Sequence, residues 1–425
     1  MAETRVERQR LRMILRATSA ATSIGGNMAR YDVLVVGTRC SGAPLCMLLA
    51  RRGLKVLGID HAQFPSDTIS THFMWPRTTA FLSKWGLLDE LAATSCPPIH
   101  RVTADYGAVA ISGKPSAVEG TAIMFSPRRT VLDQLLVEAA RKAGAEMLDV
   151  VTFRALLWDG GRVVGARLQD DNGATTECKA GFVVGADGIW SAVARAANAA
   201  TEIEHPSLTC GYYAYWSGVP TEGVEFYIRE GRDILVFPTH DGLTCIWAGR
   251  SRKDWDIYRG NVEQTYRDVI AAAPSLAQRL EHAERVTPFK GTSKLPNFYR
   301  RSFGLGWALV GDAAYHRDPL TGMGIGDAFL GAQFLADALT RGLGGDTIVL
   351  DTALSGYQQA FRERTMPVFD YTVKVAGLKE QTSAMAIYAK IAQSARDTAQ
   401  FIDVLAGNIP VKNVFNPENI ARLLA

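Results

Sequence analysis

Three acidic residues stand far apart in the chain, each after a short run of small or β-branched apolar residues: Asp60, Asp187 and Asp312. A carboxylate at the end of a parallel strand can accept sugar hydroxyls, and glycines beside it let the backbone approach a pyrophosphate. The first such place is the turn Gly37-Thr38-Arg39-Cys40-Ser41-Gly42, between a strand at 32–36 and a helix at 43–52. This is the dinucleotide-binding fingerprint with its middle glycine replaced by Arg39. Gly37 makes the tight turn and Gly42 lets helix and strand pack, whereas an arginine in the middle must either point away or use its charge to flank the phosphates. The amides around Ser41 stand at a helix N-terminus, where unpaired N–H groups and the macrodipole favour an anion. Asp60 ends the next strand, 55–60, twenty-three residues after Gly37. It is either the acid that accepts both ribose hydroxyls of an adenosine or a strand-end acid facing water.

The second place reads Gly185-Ala186-Asp187-Gly188-Ile189-Trp190-Ser191, after a strand at 181–184. The third reads Gly311-Asp312-Ala313-Ala314, after a strand at 307–310, and continues to Asp318-Pro319-Leu320-Thr321-Gly322-Met323-Gly324-Ile325. Between the first and second, Arg129 opens a helix at 129–143 in which Val131, Leu132, Leu135, Leu136 and Ala139 recur at helical spacing. Acid–base groups are sparse. His72 lies in a loop with Ser70 and Thr71, and His316 and Asp318 lie between Asp312 and the paired glycines. Each could give or take a proton, or simply hydrogen-bond the backbone. Aromatic residues gather at 209–219, where Tyr213 and Tyr215 alternate with Tyr212, Ala214 and Trp216, while Phe237 and Trp247 fall on neighbouring strands. One face of that sheet could roof a flat ligand; the other use of such residues is the sheet's own core.

These groups need a scaffold to bring them together. A chain of 425 residues is too long for one ordinary core, so two domains interleaved along the sequence are expected. The β-α-β pattern from Tyr31 onward predicts an α/β, Rossmann-type domain at 31–200 and 296–345. Strands at 209–219, 224–229, 233–238 and 244–249 and a helix at 261–283 predict a mostly antiparallel substrate-binding sheet at 201–295. Residues 346–425 read as a helical C-terminal region. Residues 1–30 carry Arg5, Arg8, Arg10, Arg12 and Arg16. They read as a weakly ordered extension; a basic surface helix would have a thin apolar face, and Glu3 and Glu7 count against a transit peptide.

The ordered set of motifs from Tyr31 to Leu339 resembles the FAD-dependent monooxygenases of the para-hydroxybenzoate hydroxylase-like superfamily, which also holds flavin-dependent halogenases and geranylgeranyl reductases. The resemblance implies that the turn with Gly37, Arg39, Ser41 and Gly42 meets the FAD pyrophosphate and that Asp60 holds the ribose. It implies that Arg129 reaches the cofactor from its helix and that the strand near Val151 passes the adenine. Asp187-Gly188 would serve both FAD and reduced nicotinamide, and Asp312 would bind the ribityl or pyrophosphate portion. Gly322, Met323 and Gly324 would run beside the isoalloxazine, and the helix opening near Ile325 would aim its positive end at the N1–C2 carbonyl edge, stabilising the anionic reduced ring. Gly326 and Asp327 stand where many hydroxylases have Asn, a detail in which the chain resembles the halogenase and prenyl-reductase branch.

The activity implied first is hydroxylation or epoxidation of a hydrophobic, aromatic small molecule with NAD(P)H and O2, through a flavin C4a-hydroperoxide kept from water by an apolar pocket. The substrate pocket would use Tyr213, Tyr215, Phe237 and Trp247, with His72, His316 and Asp318 as acid–base groups. An FAD-dependent reductase of an isoprenoid-like alkene is the alternative. A non-catalytic scaffold of the same fold is the third reading, although it has no use for Asp60, Asp187 and Asp312. The Trp-x-Trp-x-Ile-Pro string of tryptophan halogenases does not occur, and Ile234-Leu235-Val236-Phe237-Pro238 shares only its end with the Tyr-x-Trp-x-Phe-Pro string of prenyl reductases. No second nucleotide fingerprint is present, so NAD(P)H would visit transiently or a separate flavin reductase would deliver the electrons. With 47% apolar and 21% charged residues and a net charge of +3, the chain has the composition of a globular protein and no electrostatic footprint for nucleic acid. No apolar run approaches the length of about eighteen that a membrane span needs. Six scattered cysteines offer no metal-ligand spacing, so a cytoplasmic protein with reduced thiols and no metal is expected.

Overall fold

Val33, Leu34, Val35 and Val36 are all buried, which is the pattern of a strand covered on both faces and not of one with a wet side. In the computed structural model, which describes residues 31–379 and 384–424, this strand, Tyr31–Val36, lies at the centre of a largely parallel sheet. The extension expected over 1–30 lies outside the described residues. Val56–Ile59 pairs with the central strand on one side and Thr175–Gly185 on the other, both in parallel. Glu146–Leu148 and Trp307–Leu309 extend the sheet in parallel, and Phe303–Gly304 closes one edge in antiparallel. Helices Gly42–Ala50, Arg129–Lys142 and Gly324–Gly342 share one core with these strands. The strands Thr152–Asp159 and Arg162–Gln169 form an antiparallel ribbon with the first half of Thr175–Gly185, as the glycine-rich turns between them predict.

The second sheet is mostly antiparallel and orders Glu284–Arg285, Thr209–Ser217, Thr244–Ser251, Arg232–Pro238, Val224–Arg229, Val102–Asp105 and Ala110–Gly113. Its last two strands come from the stretch placed in the dinucleotide domain. Val102–Asp105 joins Val224–Arg229 in parallel, a pairing between distant segments that no local turn announces. Alternation along the strands works as predicted. Tyr213, Tyr215, Phe237 and Trp247 share an apolar cluster with Phe73, Trp75 and the C-terminal residues Ile391 and Phe401. Ala214, Trp216 and Ile246 face the opposite way, onto Tyr258, Tyr266 and Leu276.

Two helical stretches are each divided, one from Pro76 to Ala92 and the one predicted over 261–283. Gly86, at φ 75°, ends Pro76–Trp85 before Leu88–Ala92 begins. Pro274 lacks the N–H that would continue Val262–Ile270 and instead opens Pro274–Leu280 from its first turn. The C-terminal region is helical, led by the thirty-residue helix Thr347–Ala376. Among the described residues, no helix is long and apolar enough to cross a membrane, and no cluster of three or more His, Cys, Asp or Glu side chains could hold a metal ion.

Candidate functional site

The parallel strands all run the same way, so the residues that follow them meet at one edge of the sheet. Gly37, Asp60, Val151, Asp187 and Asp312 follow five different strands and line a single cavity of about 530 Å3. Ligands of open α/β sheets bind outside the carboxyl ends of the strands, and this volume is within the range of cofactor sites. Arg39, Ser41, Arg129, Gly322, Gly324 and Ile325 line the same cavity. Two members of the expected cofactor set stand back from it. Gly42 serves packing, since a Cβ there would lie 1.7 Å from the Gly37 carbonyl oxygen. Met323 turns into the apolar cluster beneath the second sheet, beside Gly407.

The acids differ in how much of each carboxylate remains available. Asp60 accepts the Thr38 amide on Oδ2 at 2.8 Å and the Ala62 amide on Oδ1 at 2.9 Å, so it braces the first turn as well as facing the cavity. Asp187 accepts the Ser191 hydroxyl at 2.5 Å and the Ala192 amide at 2.7 Å; its carboxylate orders the loop that carries Gly188 and Trp190. Asp312 opens into the cavity with protein packed around it. Burial pushes its carboxyl up, while His316 and Arg129 pull it back. Arg129 donates from Nε and Nη2 to the fully buried Asp133, at 3.0 and 3.1 Å, which fixes the guanidinium at the cavity wall.

Two helices point their N-termini at this space. Gly42–Ala50 has no side-chain cap and no acid in its first turn, so its positive end is left for an anion. Gly324–Gly342 starts between the cavity and the loop 317–323, where a buried ion pair of Arg317 and Asp327, at 2.7 Å, sets the approach. A Cβ on Gly324 would meet nothing within 4 Å, which leaves an open flat face at the helix start. A glycine turn before an uncapped helix, strand-end acids and an open glycine face around one cavity fit FAD.

The expected acid–base groups are less free than their types suggest. His72 is buried, holds φ 43°, and lies between the Ser126 carbonyl oxygen, 3.1 Å from Nδ1, and the Tyr215 hydroxyl, 3.0 Å from Nε2. Burial, with Arg129 nearby, pulls its pKa down to about 3, so the ring is neutral. Asp318 accepts the Thr209 hydroxyl at 2.6 Å and the Leu320 amide at 3.2 Å, the work of a buried cap. His316 lines the cavity and donates from Nδ1 to the Pro296 carbonyl.

Of the four expected pocket aromatics, Tyr213 and Trp247 line the cavity, joined by Phe73. Tyr215 and Phe237 form the layer behind them. The Tyr213 hydroxyl lies beside the Ser70 backbone but makes no hydrogen bond of ordinary geometry. The Trp247 indole N–H donates to Asp233 at 2.7 Å, and the other Asp233 oxygen has no partner among the described residues. Burial, aided by the Asp318 charge, pushes the Asp233 carboxyl up to about 8. Asp233, Asp133 and Arg317 were not singled out from sequence. Asp233 and Arg317 act through partners ten or more residues away, and Asp133, although four residues from Arg129 on one helix, matters because that helix faces the cavity; no short motif encodes this.

Comparison with known proteins agrees with this geometry. The family model described as FAD binding domain matches residues 30–368. The digeranylgeranylglycerophospholipid reductase of Methanosarcina acetivorans is 26% identical over 343 residues, covering 79% of this chain and 81% of its own. Digeranylgeranylglycerophospholipid reductase 2 of Methanothermobacter thermautotrophicus is 29% identical over 305 residues, covering 70% and 74%. Among solved structures, a flavin-dependent brominase superposes with a TM-score of 0.77 at 18% identity, covering 92% of this chain and 97% of that one. A probable FAD-dependent monooxygenase from Pseudomonas aeruginosa gives 0.72 at 22%, covering 84% and 99%. A geranylgeranyl bacteriochlorophyll reductase-like protein from Thermoplasma acidophilum gives 0.69 at 21%, covering 93% and 96%. The para-hydroxybenzoate hydroxylase-like fold is thereby established, and the chain belongs to the FAD binding domain family as an FAD-dependent oxidoreductase.

Proposed function

We propose that this chain is an FAD-dependent reductase acting on an isoprenoid-like alkene. The observation that carries this reading is the aligned relatives: both described above are named digeranylgeranylglycerophospholipid reductases and are matched over most of their length. Monooxygenation, which the sequence alone puts first, becomes the second reading. It is favoured by the stretch Ile234-Leu235-Val236-Phe237-Pro238, which departs from the prenyl-reductase string.

In this reading the turn from Gly37 to Gly42 and the amides at Ser41 hold the pyrophosphate, and Asp60 takes the adenosine ribose. The strand at Val151 passes the adenine, Arg129 and Asp312 take the phosphate and ribityl portion, and Gly322 and Gly324 lie against the ring. When bound and reduced, by NAD(P)H or by a separate flavin reductase, FAD would supply the hydride. The chain supplies the rest. Phe73, Tyr213, Trp247 and Leu295 give the alkene an apolar wall and displace water. His316 lines the cavity and keeps its Nδ1 proton on the Pro296 carbonyl, so in its imidazolium form it is assigned as the donor, through Nε2, of the proton to the other alkene carbon. A smaller apolar pocket of about 60 Å3, lined by Trp75, Tyr106, Phe226, Leu320 and Tyr388, has room for only the end of a hydrocarbon tail.

The test is a single turnover. Dithionite-reduced holoprotein is mixed without oxygen with a geranylgeranyl lipid, and the product is weighed by mass spectrometry. Gain of one H2 per flavin, at one double bond, supports the reductase. A product formed only with oxygen, and carrying label from 18O2, replaces it with the monooxygenase.

A further inference from the structure

The arginine that breaks the fingerprint is engaged elsewhere. The Arg39 guanidinium donates from Nη1 to Asp133 at 2.6 Å and to the Ser66 carbonyl oxygen at 3.2 Å, and from Nη2 to the Ser66 hydroxyl at 2.8 Å. It also lies 5.2 Å from the centre of the Phe64 ring. Asp133 is fully buried and is the same carboxylate that fixes Arg129. Arg39 therefore bridges the turn after the first strand to a segment that begins near Phe64 and has no regular structure until Pro76.

That segment covers the cavity. Thr68, Ile69, Ser70, Thr71, His72 and Phe73 all line it, and Ile69 is 50% exposed. Its far end is held by His72 through Ser126 and Tyr215. Its near end depends on the Arg39 fork and on an ion pair between Asp67 and Lys290 of the second sheet. Residues 68–71 span the gap between these anchors.

We propose that Arg39 is a positioning residue that straps residues 64–72 over the cavity, so that its side chain closes the site where a glycine would only admit a phosphate. The strap keeps solvent and O2 from the reduced ring. Without it, reduced flavin, O2 and one proton give oxidised flavin and hydrogen peroxide, with both electrons going to oxygen and none to substrate. The proposal rests on FAD in this cavity and on the reductase reading, since a monooxygenase must admit O2 to the reduced ring; exchange over 64–72 reports the strap whichever substrate is used.

Hydrogen–deuterium exchange of the full-length protein, with and without FAD, tests it directly. Losing a charge-assisted fork should raise exchange of peptides over 64–72 about tenfold in Arg39→Ala. Arg39→Lys, which keeps a charge but not the fork, should behave like Arg39→Ala. Lys290→Ala, which breaks the second anchor far from the phosphate turn, should raise exchange in the same peptides and leave those over 33–36 unchanged. In the flavin-loaded variants, acrylamide quenching of flavin fluorescence and peroxide formation per electron should rise together. Unchanged exchange over 64–72 in both Arg39→Ala and Lys290→Ala overturns the proposal. So does loss of flavin in Arg39→Ala without faster exchange, which would make Arg39 a cofactor anchor. If the wild-type chain takes up no FAD, the cofactor reading fails while the apo-protein exchange still decides the strap.

Discussion

Tyr215 donates its phenolic proton to Nε2 of His72 across 3.0 Å, because Nδ1 of that neutral ring must donate to the Ser126 carbonyl oxygen. Both ring nitrogens are thereby used, and His72 is a strut between the cavity loop and the second sheet.

Stability in acid should carry the mark of this histidine. Its folded pKa, about 3, lies below the ordinary 6.5, so the unfolded chain binds the extra proton first. Stability from this group is complete above pH 6.5 and falls by up to about 1.4 kcal/mol per pH unit below it. Denaturant titrations of wild type and His72→Gln between pH 7 and 4 measure the difference. Parallel curves would show that the ring is not held neutral.

Asp233 should slope the other way. Its carboxyl titrates near 8 when folded against 3.8 ordinarily, so the folded state keeps a proton that the unfolded state releases. Stability then declines as pH rises from about 4 to 8, by up to about 1.4 kcal/mol per unit. Asp233→Asn keeps an acceptor for Trp247 and removes the ionisation, so its melting temperature should exceed that of wild type at pH 8 and the gap should shrink toward pH 5. A gap that widens in acid would reverse the assignment.

Asp312 lines the cavity, and its carboxylate has no hydrogen-bond partner among the described residues. Asp312→Ala should weaken FAD by about tenfold, the worth of one charge-assisted hydrogen bond. The ratio of flavin to protein absorbance after gel filtration reads this out. Full occupancy in the variant would mean that Asp312 faces some other part of the site.

The parallel half of the fold and its cavity were legible because each strand-turn unit is local. A buried run, a glycine and an acid lie within a few residues, and their meeting follows from strands running one way. What could not be read is contact between segments far apart. Val102–Asp105 joins the second sheet with no turn to announce it. Arg39 could be seen to be unusual, yet its partners Ser66 and Asp133 lie 27 and 94 residues on. Asp187 and Asp318 were legible as acids near a site but not as caps, since capping depends on which way a loop turns. The first choice of activity rested on fold likeness, which does not fix chemistry; the named relatives moved it toward reduction.

The cavity has no single owner: strand ends of one sheet make its floor, and Tyr213 and Trp247 of the other close its top. An occupant touching both stabilises the seam between them, by an amount that grows with the logarithm of its concentration over its dissociation constant. Emptying the site therefore weakens the joint before either core, and flavin-depleted protein should part along that line, with cleavage by protease starting at the seam while the strands on both sides stay folded.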